Sequence, residues 1–155
     1  MAMWDTIFDD GYDELLYIPM SSSLSGSCHN AIQLALEYDS KVIVVDNHRI
    51  SVTLMESVFD AKALAGKGLS AREIKADLEE QAYQASIYIT VDSLKYLKKS
   101  GRITPSAAAV ASILNIKPVL SIQGEKLELV MEQADGWCKV KYKGKTGYVK
   151  TEFVE

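Results

Sequence analysis

The chain has 155 residues, 48% of them hydrophobic, and a formal net charge of -4, enough apolar material for one ordinary domain and its core. Lysine and arginine are interspersed with aspartate and glutamate at a pI near 5.3, so there is no basic footprint for nucleic acid. Cys28 and Cys138 form neither a disulfide framework nor a metal-ligand spacing and fit a reducing cytoplasm, and no apolar run reaches membrane-spanning length. In chain order, the acidic start MAMWDTIFDDGYDE lacks the basic and apolar parts of a signal peptide. ELLYIPM (Glu14 to Met20) and KVIVVD (Lys41 to Asp46) are short apolar runs that read as buried parallel strands. Ala31, Ile32, Ala35 and Leu36 recur between them at helical spacing, which makes a strand, serine loop, helix, strand crossover.

TLMESVFDAKALAGKG reads as a helix stopped by Gly66 and Gly68, and SAREIKADLEEQAYQ as another, opened by a Ser70 and Glu73 capping box. SIYITV (Ser86 to Val91) reads as a strand. Asp92 is placed to cap the short helix SLKYLKKS, with Gly101 as its stop, and PSAAAVASILN reads as a helix with Pro105 in its first turn. KPVLSI is a strand. After Gly124 the texture changes to alternating apolar and polar residues with turn signals at 134–136 and 143–145, the pattern of three antiparallel strands. That tail is electrically neutral, with 6 basic and 6 acidic residues over 125–155. The expected division is an α/β domain over 1–124 and a small β segment over 125–155.

Five serines, Ser21, Ser22, Ser23, Ser25 and Ser27, and Gly26 crowd the corner between the first strand and the first crossover helix. A helix starting near Ser27 leaves N–H donors at residues 25–28 with partial positive charge, a place for a carboxylate or phosphate. Gly26 lets a ligand approach the backbone, and the hydroxyls add donors without charge. The plain alternative is that one serine caps the helix and the others are solvated. No catalyst is evident: Cys28 and His29 are consecutive, about 100° apart on a helix, and G-x-S-x-G is absent. His48, in DNHRIS, lies just past the second strand, at the carboxyl edge where α/β sheets bind ligands. In LKKSGRITPS, Lys98, Lys99 and Arg102 complement a helix C-terminus, and Arg102 after Gly101 is placed to meet a carboxylate or phosphate.

DELLYIPMSSSLSGSCHNA, KVIVVDNHRIS and YITVDSLKYLKKSGRITPSAAAVASILNIKPVLSI resemble, in order and spacing, the DegV family of bacterial fatty-acid-binding proteins over about residues 10–124. The resemblance implies a parallel-sheet α/β core with flanking helices, no cofactor and no catalysis. It further implies one fatty acid as ligand, held in an apolar tunnel and presented to a fatty-acid kinase. Ser25 matches the serine that holds the carboxylate, with Gly26 and Ser22 beside it, and Arg102 matches an arginine of phosphate handling or kinase docking. The match begins after the family's T-S-Q-P-type loop and stops before the part that supplies a histidine, so a scaffold without retained activity is the alternative. Open strand edges and a half-open acyl site favour a homodimer.

The tail, ELVMEQADGWCKVKYKGKTGYVKTEFVE, resembles the latter half of a bacterial SH3 domain. That implies a chimera, and a peptide or cell-wall groove at Trp137 and Tyr148.

Overall fold

The computed structural model describes residues 2–104 and 119–122, with the strand backbones of 127–134, 137–142 and 145–150. The helix expected from Pro105 to Asn115 lies outside the described residues, as do the turn at Gly124 and the side chains of Trp137 and Tyr148. The chain divides into two compact units, Met1–Ala85 and Ser86–Glu155. This division falls well before the change of texture at Gly124.

In the first unit, Trp4, Ile7 and Phe8 recur at helical spacing and form one face of α1 (Ala2–Asp9), an element hidden in sequence by the acidic composition around it. β1 (Leu15–Tyr17) and β2 (Val42–Val44) pair in parallel, with Leu15 opposite Val42 and Tyr17 opposite Val44. The expected serine loop and α2 (Ser27–Ala35) connect them. Because side chains alternate along a strand, Leu15 and Tyr17 pack toward α1 and α2, while Leu16 and Ile18 pack toward α3 (Ser51–Gly66) and α4 (Ala71–Glu80). Trp4 meets Tyr17 and Tyr38 edge-on, each at 5.4 Å between ring centroids, contacts worth about 0.5–1.5 kcal/mol apiece beyond their area. On the opposite face Val45, Ala61, Ile74 and Leu78 form the buried cluster.

α4 begins as the sequence dictates. Ser70 Oγ accepts the Glu73 N–H at 3.4 Å, and the Glu73 carboxylate accepts the Ser70 N–H at 2.8 Å.

The second unit holds β3 (Ile87–Thr90), α5 (Lys95–Lys99), β4 (Val119–Ile122), β5 (Leu127–Ala134), β6 (Trp137–Tyr142) and β7 (Lys145–Lys150). All five strands form one antiparallel sheet in the order β3-β4-β5-β6-β7. The antiparallel pairing of β5, β6 and β7 agrees with the reading of the tail. The placing of SIYITV and KPVLSI in a parallel core is corrected: they pair antiparallel, Ile87 opposite Ile122. The reason is legible in retrospect, since Tyr88 and Thr90 are exposed between half-buried isoleucines, the alternation of a sheet covered on one face, whereas β2 is buried at every position. Asp92 is not the cap of α5; the Ser93 hydroxyl accepts the Lys95 N–H at 3.2 Å.

Candidate functional site

The serine corner is a tightly bonded turn. Ser21 is fully buried; its N–H donates to the Arg49 carbonyl at 3.0 Å, its hydroxyl pairs with Ser23 Oγ at 2.7 Å, and its carbonyl accepts the N–H groups of Leu24 and Ser25, both at 3.1 Å. Ser22 N–H donates to Asp46 Oδ1 at 3.2 Å. Ser25 is half-buried, and its hydroxyl accepts the Ser27 N–H at 3.2 Å while donating to Ser27 Oγ at 3.1 Å. Gly26 is the N-cap of α2 and supplies no side-chain cap. A Cβ placed on Gly26 would meet nothing within 4 Å, so the space over its backbone is open.

These bonds correct the expected row of free donors at residues 25–28. Ser25 N–H and Ser27 N–H are already occupied, the second by the Ser25 hydroxyl from two residues upstream, a local bond that serines form readily. Ser22, Ser25 and Gly26 do share one turn, as the sequence places them. A hydroxyl can rotate to a new acceptor, so Ser25 retains an O–H for an incoming oxygen.

The neighbouring loop, residues 46–51, carries His48 and more than the sequence marks there. Two of its residues, His48 at φ 56 and Ser51 at φ 51, adopt the left-handed conformation that costs a side-chain-bearing residue roughly 1–2 kcal/mol. His48 Nδ1 stands 3.8 Å from Asp46 Oδ1, the same oxygen that accepts Ser22 N–H, and its ring stacks on Tyr83. Asp46 N–H donates to Glu79 Oε1 at 2.9 Å, and the Lys75 ammonium joins Glu79 Oε1 to the Val44 carbonyl, both at 2.6 Å. Behind the loop Asn47 and Arg49 are buried. Asn47 Nδ2 donates to Ser57 Oγ at 2.7 Å, Arg49 Nη1 to the same oxygen at 3.2 Å, and Arg49 Nη2 to the Gln81 carbonyl at 2.8 Å.

Cys28 is fully buried beside this loop. Burial pushes its thiol up to about 11, the Asp46 and Glu79 carboxylates push the same way, and Lys75 opposes them. A neutral thiol at ordinary pH is a poor nucleophile, and His29 is exposed. Among the described residues no group of His, Cys, Asp and Glu could hold a metal.

Beside β1 lies an open, mainly apolar cavity of about 410 Å³ lined by Leu16, Ile18, Val58, Ala61, Ala65 and Ile74 among others, with Glu14 and Lys62 also in its lining. It follows the strand from Glu14 to Ile18, toward the end from which the serine turn departs. A second, more polar cleft of about 530 Å³ runs beside β2, with Ile32, Ile43, Arg72 and Lys75 in its lining.

Arg102 belongs to the second unit. α5 ends with Gly101 at φ 69, Gly101 N–H donating to Lys98 O and Arg102 N–H to Leu97 O, both at 3.1 Å. This is the Schellman closure, in which glycine takes the left-handed position. The backbone of Arg102 is thereby fixed and its side chain is exposed.

A family model described as uncharacterised proteins of the DegV family matches residues 2–135. The chain belongs to the DegV family. A DegV domain-containing protein of Deinococcus radiodurans is 36% identical over 116 residues, covering 75% of this chain and 41% of the relative. Among solved structures, a DegV family protein from Thermus thermophilus, described by its fatty-acid binding, superposes with a TM-score of 0.72 at 29% identity, over 87% of this chain and 48% of that one. A stearic-acid-binding protein from Eubacterium ventriosum gives 0.67 at 26% identity, over 80% and 44%. This DegV chain therefore spans about half the length of the relatives it matches. The match passes through the change of texture at Gly124 and into β5. No described helix is long and apolar enough to cross a membrane.

Proposed function

We propose that this DegV chain binds a long-chain fatty acid, with the carboxylate at the serine corner and the acyl chain in the cavity along β1. The observation that carries this reading is the junction of two unlike surfaces: a turn of serine hydroxyls and an open glycine backbone at one end of β1, and a cavity lined mainly by alanine, valine, leucine and isoleucine beside the same strand. Amphiphiles with one anionic end and an aliphatic body match that junction. Each methylene taken out of water contributes about 0.8 kcal/mol. The fatty acids named for the Thermus and Eubacterium neighbours support the assignment. Ser25 supplies the rotatable hydroxyl, Gly26 the open backbone, and Ser22 its hydroxyl, since its amide is engaged by Asp46. Native mass spectrometry of the purified chain, followed by organic extraction, tests this directly. A stoichiometric fatty acid that Ser25→Ala depletes supports it; an empty, cooperatively folded chain that also takes up no added palmitate overturns it.

Presentation to a kinase is part of the same proposal. The exposed Arg102 side chain on a fixed backbone suits a phosphate or a docking partner rather than a buried ligand. Arg102→Ala should leave palmitate binding unchanged and reduce phosphorylation of the bound acid by a fatty-acid kinase. We further place the chain in the cytoplasm, in keeping with the free thiol of Cys28, and read its strand edges as favouring a homodimer, which sedimentation would reveal.

A second reading gives the tail a peptide or wall-fragment groove of SH3 type and makes the whole a chimera. The β5-β6-β7 hairpins support it, with Trp137 opposite Lys150 and Tyr148 opposite Lys139. The same sheet continues through β4 to β3, and the family match reaches residue 135, so we favour the family's own sheet. Wall-peptide binding that Trp137→Ala abolishes would reverse that preference.

A further inference from the structure

We infer that Arg49 is a positioning residue for the serine corner, holding the 46–51 loop in the shape that fixes the Ser21 and Ser22 amides. The inference rests on the fatty-acid reading of that corner and adds a residue to it. Arg49 is only 8% exposed. Buried cations are normally paired with a carboxylate; among the described residues the hydrogen-bond partners of this guanidinium are instead Ser57 Oγ and the Gln81 carbonyl at the end of α4, and Arg49 Nε has none.

A charge buried on such terms is expensive, and what it secures is the loop. His48 and Ser51, immediately before and two residues after Arg49, are both in the left-handed conformation, which persists only where the surroundings enforce it. The guanidinium supplies that enforcement by tying the middle of the loop to two helices at once. From the same loop the Arg49 carbonyl accepts Ser21 N–H at 3.0 Å, and the Asp46 carboxylate accepts Ser22 N–H at 3.2 Å. Ser21 in turn accepts from Ser25 through its carbonyl. The chain of contacts therefore runs from α3 and α4, through Arg49, to the residue whose hydroxyl meets the ligand. A merely structural staple between α3 and α4 would not need the backbone half of this arrangement.

The test uses the full chain, carboxyl-labelled palmitate, and amide hydrogen exchange without ligand. If the wild type binds no palmitate, the fatty-acid reading fails, while the exchange experiment still decides the role of Arg49. Positioning predicts that Arg49→Lys and Ser57→Ala remain folded, exchange faster at Ser21 and Ser22 than at Ile74 and Leu78 in α4, bind palmitate about tenfold more weakly, and shift its carboxyl resonance. Arg49→Lys, which can still reach one acceptor, should retain more binding than Arg49→Met. Uniform acceleration across α4 and the serine turn, or faster exchange with affinity and carboxyl resonance unchanged in both folded variants, would show a staple and overturn the inference.

Discussion

The two faces of the β1–β2 sheet are built from different materials. Toward α1 and α2 the residues are Trp4, Phe8, Tyr17 and Tyr38, large rings packed around the buried Cys28, with Trp4 edge-on to both tyrosines and Phe8 tilted against Tyr38. Toward α3 and α4 they are Ala61, Leu16, Ile18 and Ile74, smaller aliphatic side chains, and an open groove of about 410 Å³ runs beside them with Val58 and Ala65 on its wall. One strand thus serves a filled face and a face whose core of Val45, Ala61, Ile74 and Leu78 leaves an open groove at its margin, with alternate side chains assigned to each. Close packing stabilises; room for a ligand gives some of that up. The difference separates residues that make the fold from residues that line the groove proposed for the acyl chain.

Changes on the filled face should act on stability. Trp4→Ala removes a buried ring and both of its edge contacts, and should destabilise by about 3–5 kcal/mol, read from denaturant midpoints at unchanged slope. A loss below about 1 kcal/mol would show that α1 is not integral to this core. On the unfilled face the expected effect is on the ligand. Ala65→Phe, at an exposed helical position lining the cavity, should change stability by no more than about 0.5 kcal/mol while lowering palmitate affinity at least tenfold. Equal affinity would move the acyl chain to the cleft beside β2.

The smallest effect concerns the end of α4. Ser70→Ala removes the cap and should cost about 1 kcal/mol. The Ser70 hydroxyl, with the Ser70 N–H, holds the exposed Glu73 carboxyl below its ordinary range. A carboxyl depressed in the folded state contributes stability above its unfolded pKa, lost as pH falls through the folded value. Acid titration of the variant should therefore show a shallower loss over that window, with no change at neutral pH in palmitate binding.

Much of this was readable before the structure. The β1, serine turn, α2, β2 crossover follows from two apolar runs and one helical period, the Ser70 box from its spacing, and the Gly101 stop from glycine's tolerance of positive φ. α1 is masked in the sequence, because five acidic residues surround the helical spacing of Trp4, Ile7 and Phe8. The antiparallel direction of β3 and β4 is not given by an expectation that makes SIYITV and KPVLSI strands of a parallel-sheet domain; the alternation of exposed Tyr88 and Thr90 with half-buried Ile87 and Ile89 is its signal. The cluster around Arg49 had no sequence signal: residues 21, 46–49, 57 and 79–81 meet only in three dimensions, and a buried arginine looks in sequence like any surface one. What could have drawn attention was the polar run DNHR directly after a fully apolar strand, at the edge where such sheets bind ligands.

Lys75 has a consequence of another kind. The Val45 N–H points to Tyr17 on β1, so the Val44 carbonyl, in the same peptide unit, faces the other way, and there it receives the Lys75 ammonium. A cation seated on the outward rim of a parallel strand deters a foreign strand from annealing to it. Acetylation of that one amine would remove the deterrent without touching the core. Its expected signature is turbidity on storage, from a protein whose melting curve has hardly changed.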